Sequence, residues 1–169
     1  YELCVTNVLT MLELAGVPLR ADGRDESHPI IVGGDALADT PEPIAPFFDV
    51  LIPGDGEEPL VALAELVRDA KVESLTREET LLRIARDVPS AYVPKYYRPN
   101  ADGGIAPTRD DVPTEIRRAV LKDLADSPVI TAPLVPLCEG VHDRAVVEVM
   151  RGCPNACRFC QAGFSRLPV

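Results

Sequence analysis

Basic residues are in short supply. Seventeen Lys and Arg stand against 27 Asp and Glu, for a net charge of −10 over 169 residues. Binding a nucleic-acid backbone needs clustered cations, so a broad nucleic-acid patch on this portion is excluded. No run of about 18 apolar residues occurs, so no transmembrane helix is expected. The first residues, Tyr1-Glu2-Leu3-Cys4, have neither an initiator Met nor the charged-then-apolar pattern of a signal peptide. Five cysteines are an odd number, which argues against a disulfide framework. A second C-x2-C pair is also missing, although structural zinc usually takes two such pairs or one pair with distant histidines. Free thiols without a leader fit a reducing cytoplasm. The last residues, Phe164 to Val169, directly follow the cysteine-rich stretch, and the expectation is a fragment cut at both ends.

That stretch is Arg151-Gly152-Cys153-Pro154-Asn155-Ala156-Cys157-Arg158-Phe159-Cys160-Gln161-Ala162-Gly163. Its three cysteines are spaced C-x3-C-x2-C. Thiolates are soft ligands that select iron–sulfur clusters, zinc or Cu(I). Three on one loop can hold three corners of a [4Fe–4S] cube, leaving the fourth iron without a ligand from this loop. Cys138 and His142 can instead complete a four-ligand zinc set with these thiols, which would make the chain a structural zinc-binding interaction module. A third reading is a small-molecule-binding Rossmann-like domain whose cysteines are incidental.

Residues 1–70 read as alternating helix and strand. Asn7 or Thr6 caps a helix with Val8, Leu9, Leu12 and Ala15 on one face, ended by Gly16 and Pro18. Ile30-Ile31-Val32-Gly33-Gly34 reads as a buried parallel strand and tight turn. Thr40 caps a short helix with Pro41 first and Ile44, Phe47 and Phe48 on its apolar side. Asp49-Val50-Leu51-Ile52 is a second buried strand, followed by Gly54-Asp55-Gly56-Glu57. A helix then runs from about Glu58, with Leu60, Leu63, Ala64, Leu66 and Val67 inward. This order implies a parallel α/β sheet with crossovers. Such sheets bind ligands at the carboxyl ends of their strands, where both glycine turns fall. Glycines there either admit a ligand to the backbone or merely permit tight turns.

Residues 71–144 read as a connector. Thr76-Arg77-Glu78-Glu79 has capping-box spacing before Leu81, Leu82, Ile84 and Ala85. Tyr92-Val93-Pro94-Lys95-Tyr96-Tyr97 is either a substrate-facing segment or a packed domain seam. Asn100 to Pro113 is turn-rich, Thr114 to Leu124 is a short helix or an irregular crossing, and Pro128 to Pro136 is extended. From residue 145, Ala145-Val146-Val147-Glu148-Val149-Met150 reads as the first strand of a new domain, 145–169. His28, before a proline, reads as a surface residue, and His142 as a structural one.

The cysteine stretch resembles the cluster loop of radical S-adenosylmethionine (SAM) enzymes, C-x3-C-x-aromatic-C, with Phe159 as the aromatic. The resemblance implies that Cys153, Cys157 and Cys160 ligate a [4Fe–4S] cluster. It implies that SAM chelates the open iron and is cleaved reductively to a 5′-deoxyadenosyl radical, and that Phe159 lies beside the SAM adenine. An electron donor such as flavodoxin or ferredoxin would be the partner. Ile31-Val32-Gly33-Gly34, Thr40-Pro41-Glu42-Pro43, Asp49-Val50 and Gly54-Asp55-Gly56-Glu57 are similar to the later half of the cobalamin (B12)-binding-type domain that precedes many radical SAM barrels. With Tyr1-Glu2-Leu3, Thr6-Asn7-Val8-Leu9 and Val141-His142-Asp143-Arg144, the chain resembles a bacterial family of B12-binding-type/radical SAM fusions. Gly33, Gly34, Gly54, Gly56 and Glu57 would then line a B12-type pocket in a partial domain over 1–70. Residues 145–169 would supply the first strand and cluster loop of a truncated (β/α) barrel. The D-x-H-x-x-G motif of histidine-ligated cobalamin is absent: Glu26 and Ile31 flank His28 where Asp and Gly would stand. The resemblance does not identify a substrate.

Overall fold

The run Asp49 to Ile52 has three apolar residues in succession and no alternation, the pattern of a strand covered on both faces. In the computed structural model it forms β2 (Val50–Ile52) beside β1 (Val32–Gly34). The structure describes residues 2–128, 131–132, 147–155 and 157–165. β1 and β2 pair in parallel, with Val32, Gly33 and Gly34 opposite Val50, Leu51 and Ile52. The other edge of β2 is closed by Tyr92: Leu51 N–H donates to the Tyr92 carbonyl at 2.7 Å, and Tyr92 N–H returns a bond of 2.8 Å. Val50 and Leu51 are fully buried as a result.

The fold is mixed α/β, and the chain divides into two units, Tyr1–Val120 and Leu121–Val169. In the first, α1 (Val5–Leu14) buries Leu12 and half-buries Val8 and Leu9. It begins two residues before Asn7, after a 3-10 turn, and has no side-chain cap. Ala15, expected on the buried face, is exposed. Gly16 (φ +67°) ends the helix, and Val17 N–H reaches back to the Leu12 carbonyl at 2.9 Å. After Thr40 the chain makes a turn and a 3-10 segment, Ala45–Phe47, rather than a helix. Pro43 and Pro46 deny it the amide donors a longer helix needs. Ile44 and Phe48 are nonetheless buried.

Helix α2 (Glu57–Val72) carries Glu57 and Glu58 in its first turn, where the dipole favours acids. Its buried stripe is Pro59, Leu63 and Ala70, with Leu66 and Val67 half-buried. Leu60 and Ala64, expected inward, fall beside this stripe and are exposed. Helix α3 (Arg77–Asp87) opens with a complete capping box: Glu79 N–H donates to Thr76 Oγ1, and Thr76 N–H donates to Glu79 Oε2 at 2.8 Å. Leu81, Ile84 and Ala85 are buried against β2's cluster, so this segment shares one core with residues 1–70. A small antiparallel pair, β3 (Tyr97–Pro99) and β4 (Ile105–Pro107), follows. The crossing after Thr114 is irregular, with Ala119 bonded alongside Gly54.

In the second unit, residues 124–126 form a 3-10 turn and α4 spans Ala162–Ser165. Val147 to Met150 are not in a strand, and Val147 and Val149 are exposed. A β-branched run becomes a strand only when a neighbour supplies the ladder bonds, and none of the described residues does so. Ala145, Val146, Cys138 and His142 lie outside the described residues. Among the described residues, no helix is long and apolar enough to cross a membrane.

Candidate functional site

The glycine turns come first because the sequence points there. A Cβ on Gly33 would lie 2.6 Å from Leu51 Cδ2 and 2.9 Å from the Phe48 ring. The glycine is there to let β1 pack against the core. Gly54 has φ +93°, and a Cβ there would overlap the Ala119 carbonyl oxygen and crowd Arg118. Asp55 N–H donates to that carbonyl at 3.0 Å, and Ala119 N–H donates to the Pro53 carbonyl at 3.0 Å. The chain itself therefore takes the space at Gly33 and Gly54. Among the described residues, a Cβ on Gly34 would meet only the Ile52 carbonyl oxygen, at 3.5 Å, and one on Gly56 would meet nothing within 4 Å. Glu57 is the first residue of α2. Side-chain space at these turns is thus filled at Gly33 and Gly54 and open at Gly34 and Gly56 among the described residues.

At the opposite, amino end of β2 stands a charge cluster that the sequence reading missed. Asp49 Oδ2 accepts from Arg24 Nη1 at 2.9 Å and from Ile31 N–H at 2.8 Å, and forms an ion pair with Arg77 Nη2 at 2.8 Å. The side chains of Arg24, Asp49 and Arg77 are 0%, 1% and 9% exposed. Arg24 also donates to the carbonyls of Pro18, Leu19 and Phe47. Arg77 donates to those of Asp25, His28 and Pro29. Burying charge is tolerated only where pairing and hydrogen bonds compensate, and here they stitch two loops to β2. The one available signal was an acid at the head of an all-apolar strand. His28, read as a surface residue, is half-buried at this loop, its ring 2.7 Å from Asp25 Oδ1.

Beside this cluster lies a cleft of about 510 Å³ with Phe48, Tyr92 and Tyr97 in its wall. The Tyr92 and Tyr97 rings are 5.0 Å apart and tilted by 53°. Tyr92 OH donates to Glu42, and Tyr97 OH donates to the Pro113 carbonyl at 2.8 Å. Burial, then the Glu42 carboxylate, pushes the Tyr92 phenol well above its ordinary value; burial, then Glu78, does the same to Tyr96. Glu78 itself is held below the usual carboxylate range, first by the hydrogen bond from Lys95. The tyrosine segment thus serves both as core and as cleft wall within one unit.

The cysteine loop belongs to the second unit. Glu148 and Arg151 form a two-pronged pair at 2.9 Å just before it, and Gly152 (φ +86°) turns the chain. This pairing holds the Glu148 carboxyl below its ordinary range. Cys153 and Cys160 are partly buried, Cys157 is exposed, and none is in a disulfide. Cys160 N–H donates to the Cys157 carbonyl at 3.0 Å. Phe159 is 93% exposed. Among the described residues no three Cys, His, Asp or Glu side chains converge as a metal-ready group. The donor set nonetheless suits a thiolate-held cluster: three free thiols within eight residues of one loop.

A family model described as "Radical SAM proteins, N-terminal" matches residues 1–94, more than half of the chain. No curated protein and no solved structure matches it.

Proposed function

The chain belongs to the radical SAM family that its residues 1–94 match, and on that premise we propose that its cysteine loop holds a [4Fe–4S] cluster that binds SAM. The observation that carries this is the set of three free thiols, Cys153, Cys157 and Cys160, on one short exposed loop. When bound, such a cluster supplies the electron for reductive cleavage of the SAM sulfonium. Cys153, Cys157 and Cys160 would hold the cluster as thiolates and would leave one iron open to SAM. The Glu148–Arg151 pair fixes the chain where it enters the loop. Phe159, whose ring is exposed, would cover the adenine of SAM. A small reduced flavodoxin- or ferredoxin-type protein donates the electron, in the reducing cytoplasm that exposed thiols require.

The test is anaerobic iron–sulfide reconstitution of the full-length protein, read by electron paramagnetic resonance. A reduced-cluster signal that changes on adding SAM is expected, and Cys157→Ala should abolish both the signal and SAM cleavage. Zinc bound stoichiometrically through aerobic purification, with no cluster on reconstitution, would overturn the proposal in favour of a structural zinc module.

A further inference from the structure

We propose that the cleft at the amino end of β2 is a binding site for a small organic anion: a carboxylate or phosphate head group on an aromatic ring. Its volume, about 510 Å³, is that of a small-molecule site. It lies at the opposite end of the strand from the glycine turns and in the first unit, so it stands independently of the cysteine loop.

Charge argues for the head group. Arg20, Arg24, Arg77, Lys95 and Arg98 line the cleft against Asp22, Glu42 and Asp49. Cations outnumber carboxylates by two, in a chain whose net charge is −10. At the bottom, two guanidinium groups share the single carboxylate of Asp49. One positive charge is thus left over where water is scarce, a costly arrangement without a counter-charge. The Arg77 side chain is nine-tenths buried and its Nε–H has no partner among the described residues. Of the nearby acids, Asp25 pairs with Ser27 and His28, and Glu26 Oε1 meets Arg77 only at its backbone N–H, at 3.4 Å. At the rim, Arg20 faces Asp22 at 3.4 Å with both side chains largely exposed, a weak pair that an incoming anion can outbid. Lys95 is paired with Glu78, so Arg20 and Arg98 are the rim cations best placed to act.

The wall argues for the ring. Phe48, Tyr92 and Tyr97 present carbon surface, with Pro46 and Pro94 beside them. Both tyrosine hydroxyls are already committed, to Glu42 and Pro113. What they offer a ligand is ring surface, which stacks on aromatic partners.

Benzoate and phenyl phosphate titrated into the full chain, with benzyl alcohol as the neutral control, test this by ligand-observed NMR. Both anions should bind, at least tenfold more tightly than the alcohol. Arg20→Gln and Arg98→Gln, at exposed positions that spare the core, should each weaken the anions roughly fivefold. Asp22→Asn, which releases Arg20, should tighten them. Cys157→Ala should change nothing, which separates this site from the cluster. Equal binding of benzyl alcohol, unchanged affinity in both arginine variants, or no binding of either anion up to roughly 10 mM would overturn the proposal.

Discussion

Replacing Asp49 with Ala removes one carboxylate and strands three partners: Arg24 Nη1, Arg77 Nη2 and the Ile31 amide, each now within 2.9 Å of Oδ2. Both guanidinium groups remain buried, held by loop carbonyls that cannot follow them into solvent. Breaking a buried pair from one side costs about 3–5 kcal/mol. A domain of this size has about 5–15 kcal/mol in all, so the variant should lose about a fifth or more of its stability. At about 4 °C per kcal/mol, its Tm should fall by about 12–20 °C, measured by circular dichroism and checked by the urea midpoint. Asp49→Asn keeps an acceptor oxygen without the charge and should lose about half as much. A double variant with Arg77→Met should be non-additive by at least about 1 kcal/mol, because the two share a contact. The exposed pair Arg83–Glu73 supplies the control, and Arg83→Gln should leave the midpoint unmoved. A loss under about 1 kcal/mol in Asp49→Ala would refute the reasoning, since it would mean that water already screens the cluster.

Three further outcomes can be measured. Gly54→Ala combines left-handed backbone with overlap of the Ala119 carbonyl and should cost about 2 kcal/mol or more, whereas Gly56→Ala, with nothing within 4 Å, should stay within about 0.5 kcal/mol; equal effects would show that residues 118–119 do not seal the turn. Thr76→Ala should cost about 1 kcal/mol by urea unfolding, through loss of the cap on α3. Tyr92, Tyr96 and Tyr97 hold their protons more tightly folded than unfolded. Their contribution is therefore complete below about pH 10 and lost as pH rises above it. Their tyrosinate absorbance should appear together with unfolding, and a free titration of all three in the folded chain would contradict their burial.

The elements legible in the sequence are those specified by neighbours along the chain. The capping box at Thr76, the acid-led start of α2 and the unbroken apolar run of β2 each carry their signal within a few residues. The cysteine spacing is a signal of the same short-range kind. Neither the Asp49 cluster nor the cleft could be read in this way. Arg24, Asp49 and Arg77 are far apart in sequence, and only the folded chain shows that they meet. The glycine turns show the converse: Gly33 and Gly54 look alike with respect to a ligand, yet what approaches them is Phe48, Leu51 and Ala119. Tyr92 to Tyr97 was read as a seam or a substrate-facing segment; its first residue, Tyr92, makes a single bridge to Leu51 on the edge of β2 that β1 leaves open.

That bridge sets an order of events during synthesis. β2 needs β1, which precedes it, but its second edge waits for Tyr92, and the turn beyond it waits for Ala119. A ribosome releases residues in sequence, so the most apolar strand of the unit emerges with one side unpaired and stays so until α2 and α3 have followed. Closing those loops is the slow part of such a topology. The early, strongly capped α3 is then the element that carries Tyr92 back to its place, and a slowly translated or prematurely ended chain would leave β2 open to pairing with another copy.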